Sequence, residues 1–161
     1  MVRVMSTHTR PEVELWIRTL RTVAAEEHDG LRRRLAALER QGVLGSVEIR
    51  TWPHEVPIDG PTTARDRLIV DRVRAFRRWA ARAGASLPAF DERVTAGVGR
   101  MGPECTVLTL PETTLAVSVD GTLSWVAPCV EGDVERTVAE WVEAAETGSL
   151  PGRESRPALV V

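Results

Sequence analysis

The chain has 161 residues, a formal net charge of −2 and 27% charged residues, which bounds it to one domain with room for a real core and excludes a global bias toward nucleic acid or an anionic membrane. Its charge is regional: residues 1–102 hold 18 Arg against 13 Asp and Glu, and residues 103–161 hold 3 Arg against 10. Lysine is absent, so every cation other than histidine is a guanidinium, the group best suited to phosphate or carboxylate forks.

The opening ten residues read as a loose leader without the apolar run of a signal peptide. Glu12–Leu20 alternates, with Val13, Leu15 and Ile17 on one side and Glu12, Glu14, Trp16 and Arg18 on the other, the pattern of a half-buried strand. Ala24–Gln41 reads as a helix with Leu31, Leu35 and Leu38 on one stripe and Gly42 as its stop. Ser46–Trp52 alternates again, and Pro53, Pro57, Gly60 and Pro61 mark a loop.

Thr62–Ala83 is the clearest helix, capped by Thr62 or Thr63 and ended by Gly84. Ile69, Val73, Phe76, Ala80 and Ala83 form its apolar stripe, opposite Arg67, Asp71, Arg74, Arg78 and Arg82. Short strands are expected near Glu92–Val98, Thr106–Leu110, Thr114–Val119 and Thr122–Ala127, the last two joined by an Asp120-Gly121 hairpin turn. Asp133–Thr147 closes the pattern as an amphipathic helix with Asp133 as N-cap and Gly148 as stop.

This order predicts an α+β fold, a ferredoxin-like sandwich with about five to six short strands and three helices mainly on one face. The domain is expected over residues 11–148, with a leader over 1–10 and a tail over 149–161. No run of 18 apolar residues is present, and the expected location is cytoplasmic, with Cys105 and Cys129 reduced.

Chemistry-bearing patterns are sparse. His8, His28 and His54 are the only imidazoles, and Cys105 and Cys129 lack the short Cys pair of zinc sites. Asp91-Glu92 and Glu26-Glu27 are adjacent, and adjacent side chains do not face one another. Gly97-Val98-Gly99-Arg100-Met101-Gly102 has the spacing of a dinucleotide loop but no helical pattern after it. No catalytic residue, metal or cofactor is expected.

The arginines carry the functional expectation. Arg67, Arg74, Arg78 and Arg82 share one side of the second helix; Arg33 and Arg40 lie opposite the leucines of the first, with Arg32 beside them. Such stripes suit phosphate contacts; the competing reading is a solvated face, or one that pairs with the acidic C-terminal third of the same or another copy. The partners to consider are duplex DNA and a second copy of the chain, not a membrane.

Leu31–Val43 followed by Ser46–Trp52 looks like the closing part of a winged helix. More widely, residues 11–146 resemble a group of small haloarchaeal proteins catalogued as helix-turn-helix domain proteins. The shared features include Val13–Thr19, Leu35-Ala-Ala-Leu38-Glu with Gly42, Val47-Glu-Ile-Arg-Thr-Trp52 and Val56-Pro-Ile-Asp59. Arg74-Ala-Phe-Arg-Arg-Trp79-Ala, Gly84-Ala-Ser-Leu87, Val107-Leu-Thr-Leu-Pro111, Leu115-Ala-Val117 and Asp133–Trp141 continue the set. The resemblance implies a cytoplasmic, DNA-binding transcriptional regulator. No base-reading residue is carried over from it, because a strand is expected between the first two helices. The alternative is a regulatory or protein-interaction module that self-associates and leaves DNA alone.

Overall fold

The computed structural model describes residues 10–19, 25–59, 62–95 and 104–150. In chain order these form β1 (Glu12–Arg18), α1 (Ala25–Arg40), β2 (Ser46–Trp52), β3 (Glu55–Pro57), α2 (Ala64–Ala83), β4 (Ala85–Ser86) and β5 (Asp91–Thr95). There follow β6 (Cys105–Thr109), β7 (Thr113–Val119), β8 (Thr122–Ala127), β9 (Cys129–Glu131), β10 (Val134–Arg136) and α3 (Val138–Thr147).

The central sheet runs β2-β1-β7-β8. The crossover through α1 returns β2 parallel to β1, as a strand-helix-strand unit must. β7 pairs antiparallel on the other side of β1, which sets Leu15 between Ile49 and Leu115. The Asp120-Gly121 turn joins β7 to β8, and both residues have positive φ, 52° and 75°, the pair of left-handed conformations that a two-residue hairpin turn demands. Two three-stranded sheets, β10-β9-β4 and β3-β6-β5, complete the described strands.

Side-chain alternation along β1 divides the core in two. Val13, Leu15 and Ile17 lie on one face with Leu115 and Val117 of β7, and α1 and α3 cover them. There His28 Nε2 of α1 hydrogen bonds with Thr113 Oγ1 at 3.0 Å, next to Ile17 in the register. Glu14 and Trp16 point the other way, toward α2. Trp16 stacks on Trp52 at 4.9 Å between ring centroids, Trp52 meets Phe90 edge-on at 5.8 Å, and Phe90 meets Phe76 of α2 at 6.0 Å.

Several expectations are corrected here. The described strands number ten in three sheets, not five to six in one. The helices are divided between the faces of the central sheet, so the single sheet covered on one side that a ferredoxin-like sandwich requires does not form. For the same reason β1 is buried on both faces, and Trp16, placed by alternation on an open side, is only 3% exposed. The last helix starts at Val138 with Thr137 as its cap, since Val134–Arg136 is drawn into a strand against β9. Asp133 sits instead in the turn before that strand.

Helix boundaries elsewhere follow local chemistry. Thr63 Oγ1 accepts from the Asp66 N–H at 3.1 Å while Asp66 Oδ2 accepts from the Thr63 N–H at 3.4 Å, a reciprocal capping box. Gly84 ends α2 at φ 69°, and its N–H donates to the Ala80 carbonyl. No helix among the described residues is long and apolar enough to cross a membrane.

Candidate nucleic-acid interface

Helix α2 sorts its arginines by direction. Its apolar side, Ile69, Val73, Phe76 and Ala80, is buried against the central sheet and Phe90. On the flanks of that side, guanidinium groups reach to neighbouring elements. Arg72 donates from Nε and Nη2 to the two carboxylate oxygens of Glu14, at 2.9 Å each. Arg77 bonds Glu92 at 2.5 Å and the Phe90 carbonyl at 3.3 Å. Arg65 donates to the Thr51 carbonyl at 3.1 Å.

The other four point away. Arg67, Arg74, Arg78 and Arg82 recur at intervals of seven, four and four residues, which keeps them on one strip of the helix for about 22 Å at 1.5 Å per residue. All four are exposed. Asp71 interrupts the strip and approaches Arg74 at 3.5 Å; among the described residues Arg67, Arg78 and Arg82 make no ion pair. A cleft lies beside each half of the strip. One of about 240 Å³ is lined by Pro57, Ile58, Arg67 and Arg74. The other, of about 520 Å³, runs from Arg78 and Arg82 to Gly121 and Thr122 at the β7–β8 turn.

Arg32, Arg33 and Arg40 are also exposed and make no ion pair among the described residues. They sit on α1, on the opposite face of the central sheet. The structure therefore brings four of the seven arginines together on α2 and leaves the α1 group apart. Arg40 occupies the last turn of α1, where a cation also complements the helix dipole. Arg34, beside them in sequence, is bound to Glu146 of α3.

The spacing in the sequence separates the outward strip from the buried stripe. It does not reveal that Arg72 and Arg77 are committed, because Glu14 lies 58 residues from Arg72 and Glu92 lies 15 from Arg77. Of the other candidates, His54 is exposed in the β2–β3 turn, where its carbonyl accepts from Leu110 N–H. Cys105 and Cys129 are free thiols on different sheets. His8 and the Gly97–Gly102 segment lie outside the described residues.

Two comparisons find no counterpart: no curated protein and no solved structure matches. A family described as a helix-turn-helix domain does match, over residues 5–150. Among the described residues α1 and α2 are separated by β2 and β3 and lie on opposite faces of a sheet, so they do not form the two-helix unit of that name. With residues 5–150 of 161 matched, the chain belongs to this helix-turn-helix domain family, whose description points to DNA-binding regulation.

Proposed function

We propose that the chain is a non-enzymatic, cytoplasmic DNA-binding transcriptional regulator, with Arg67, Arg74, Arg78 and Arg82 contacting phosphates. The observation that carries the reading is the division of labour on α2. Three arginines are spent on internal partners, and four face solvent in one strip beside two clefts. Phosphate contacts of this kind give affinity and register without reading bases, so no sequence target follows from them.

The test is binding to duplex DNA over a salt series. Each lost phosphate contact lowers the slope of log affinity against log salt by about 0.9. Arg74→Ala/Arg78→Ala is therefore expected to reduce the slope by about two, and Arg33→Ala/Arg40→Ala to leave it nearly unchanged. Absence of any complex at low salt, or an unchanged slope in the α2 variant, overturns the reading.

A second reading is favoured by the exposed carboxylates of α3, Glu140 and Glu143. In it the α2 strip meets that acidic surface on another copy, and the protein is a self-associating interaction module that leaves DNA alone. It predicts a dimer that dissociates as salt rises, seen by sedimentation in the absence of nucleic acid. Self-association through the β2 edge fits the structure less well. Glu39 accepts from the Val47 N–H at 2.6 Å and Arg65 occupies the Thr51 carbonyl, so side chains from two helices cover both ends of that strand.

A further inference from the structure

The arginines of α1 that stand apart from the α2 strip repeat its division of labour on the other side of the molecule. At about 100° per residue, Arg32 and Arg34 point roughly 200° apart around α1. Arg34 turns to α3 and is spent on Glu146, so Arg32 faces away from that contact. Arg33 and Arg40 share one side of the helix, opposite the buried Leu35 and Leu38. Arg10 joins them at the end of α1: its guanidinium carbon lies 3.5 Å from where a Cβ on Gly42 would stand. It too is exposed and makes no ion pair among the described residues.

Little on the helix neutralises this group. Two carboxylates of α1 have described side chains, Asp29 and Glu39. Glu39 accepts from the Val47 N–H at 2.6 Å, which leaves Asp29, one turn before Arg33. The face does not suit a protein partner, whose interface forms round a buried apolar centre. None of the exposed large apolar side chains among the described residues lies on α1. Guanidinium groups on a polar surface match a row of phosphates instead.

The two arginine faces cannot serve one straight duplex. α1 and α2 cover opposite faces of the central sheet, so the sheet stands between them. We propose that the α1 face, with Arg10, Arg32, Arg33 and Arg40, seats a second duplex, so that one protein molecule bridges two DNA segments. This rests on the nucleic-acid reading of α2. The α1 face is the weaker of the two, since only Arg33 and Arg40 share a line, and it leaves binding of the first duplex to α2.

A bridging assay tests the proposal. One duplex of about 20 base pairs is anchored on beads and a second, fluorescent one is free, both in excess over protein. At that length, far below the persistence length of about 150 base pairs, neither duplex wraps around the protein. At about 50 mM salt the protein is expected to recruit the fluorescent duplex to the beads. Arg33→Ala/Arg40→Ala is expected to keep its affinity for the anchored duplex within about twofold, which shows that it is folded, and to lose about fivefold or more of the recruitment. Arg74→Ala/Arg78→Ala is expected to lose both. Protein on the beads without recruitment overturns bridging and leaves the α2 reading standing. Recruitment that survives in Arg33→Ala/Arg40→Ala also overturns it, because two copies then meet through protein contacts. No protein on the beads overturns both.

Discussion

Arg72 grips Glu14 in a two-pronged fork, 2.9 Å on each prong, and so fastens α2 to the strand at the middle of the central sheet. Both side chains are about three-quarters covered, 28% and 24% exposed, so the pair is screened less than one on the open surface. Glu14 also accepts from Trp16 Nε1 at 3.1 Å, and Arg72 lies 5.2 Å from the centroid of Phe76. Removing the arginine leaves a half-buried carboxylate with only the indole donor. Arg72→Ala is expected to cost about 1–2 kcal/mol in denaturant unfolding, and Arg78→Ala, on the outward strip, about 0.5 kcal/mol or less. Equal effects from the two would mean that the arginines of α2 are not divided between structural and free roles.

The link between Arg34 and Glu146 joins α1 to α3 and carries a pH signature. The guanidinium hydrogen bond holds the Glu146 carboxyl below its ordinary value of 4.5. A carboxyl lowered in the folded state stabilises it above the unfolded value, and that contribution fades as pH falls through the folded value. The stability difference between wild type and Glu146→Gln is thus expected at pH 7 and should shrink below about pH 4, reaching nothing once both states are protonated. Thermal melts of the two proteins from pH 7 to pH 3 check this; a difference that grows on acidification contradicts the ion pair.

What could be read from the sequence was set by range. Ser46–Trp52 and Thr122–Ala127 were legible because their alternation is long enough to register, and Gly84 and Gly148 because a left-handed stop needs glycine. The strands Glu55–Pro57, Ala85–Ser86, Cys129–Glu131 and Val134–Arg136 were not, since three residues or fewer carry no period and exist only through their partners. Val134 shows the consequence: it falls inside the helix expected over Asp133–Thr147, but it stands in a strand and is 49% exposed. The arginine strip was legible for the same reason as the helix that bears it. The convergence of Trp79, Trp125 and Trp141 on one cleft between α2, β8 and α3 was not, because they come from three elements brought together only after the sheet has formed.

Gly84 offers a clean measure of backbone conformation alone. Its φ is 69°, and a Cβ there would meet nothing within 4 Å. Gly84→Ala therefore loses no packing and suffers no clash; it is expected to destabilise by about 1 kcal/mol through the left-handed backbone. Gly84→Asn should lose less, because asparagine tolerates that region. Chemical denaturation of the three proteins orders them Gly, Asn, Ala; a fully tolerated alanine would show that α2 ends otherwise in solution.

The two thiols should differ in reach and in response to alkali. Cys129 is buried at the β9 ladder, and desolvation, aided by the nearby Glu131 carboxylate, pushes its thiol up to about 11 from 9.0. The thiolate is the reactive form, so Cys129 is expected to resist iodoacetamide at pH 8 until the protein unfolds. Cys105 is only partly covered, and its hydrogen bond to Asp59 raises its value too. It should react in the folded state, slowly, and faster in Asp59→Asn. Because the folded value of Cys129 is the higher one, protonated Cys129 favours the native state below the unfolded value. The unfolded chain gains by ionising between about pH 9 and pH 11, so stability should fall over that window. In Cys129→Ala the fall should be shallower. Peptide mapping after alkylation and denaturation curves at pH 8 and pH 10.5 check both parts, and labelling of Cys129 in the folded protein at pH 8 would contradict the burial on which they rest.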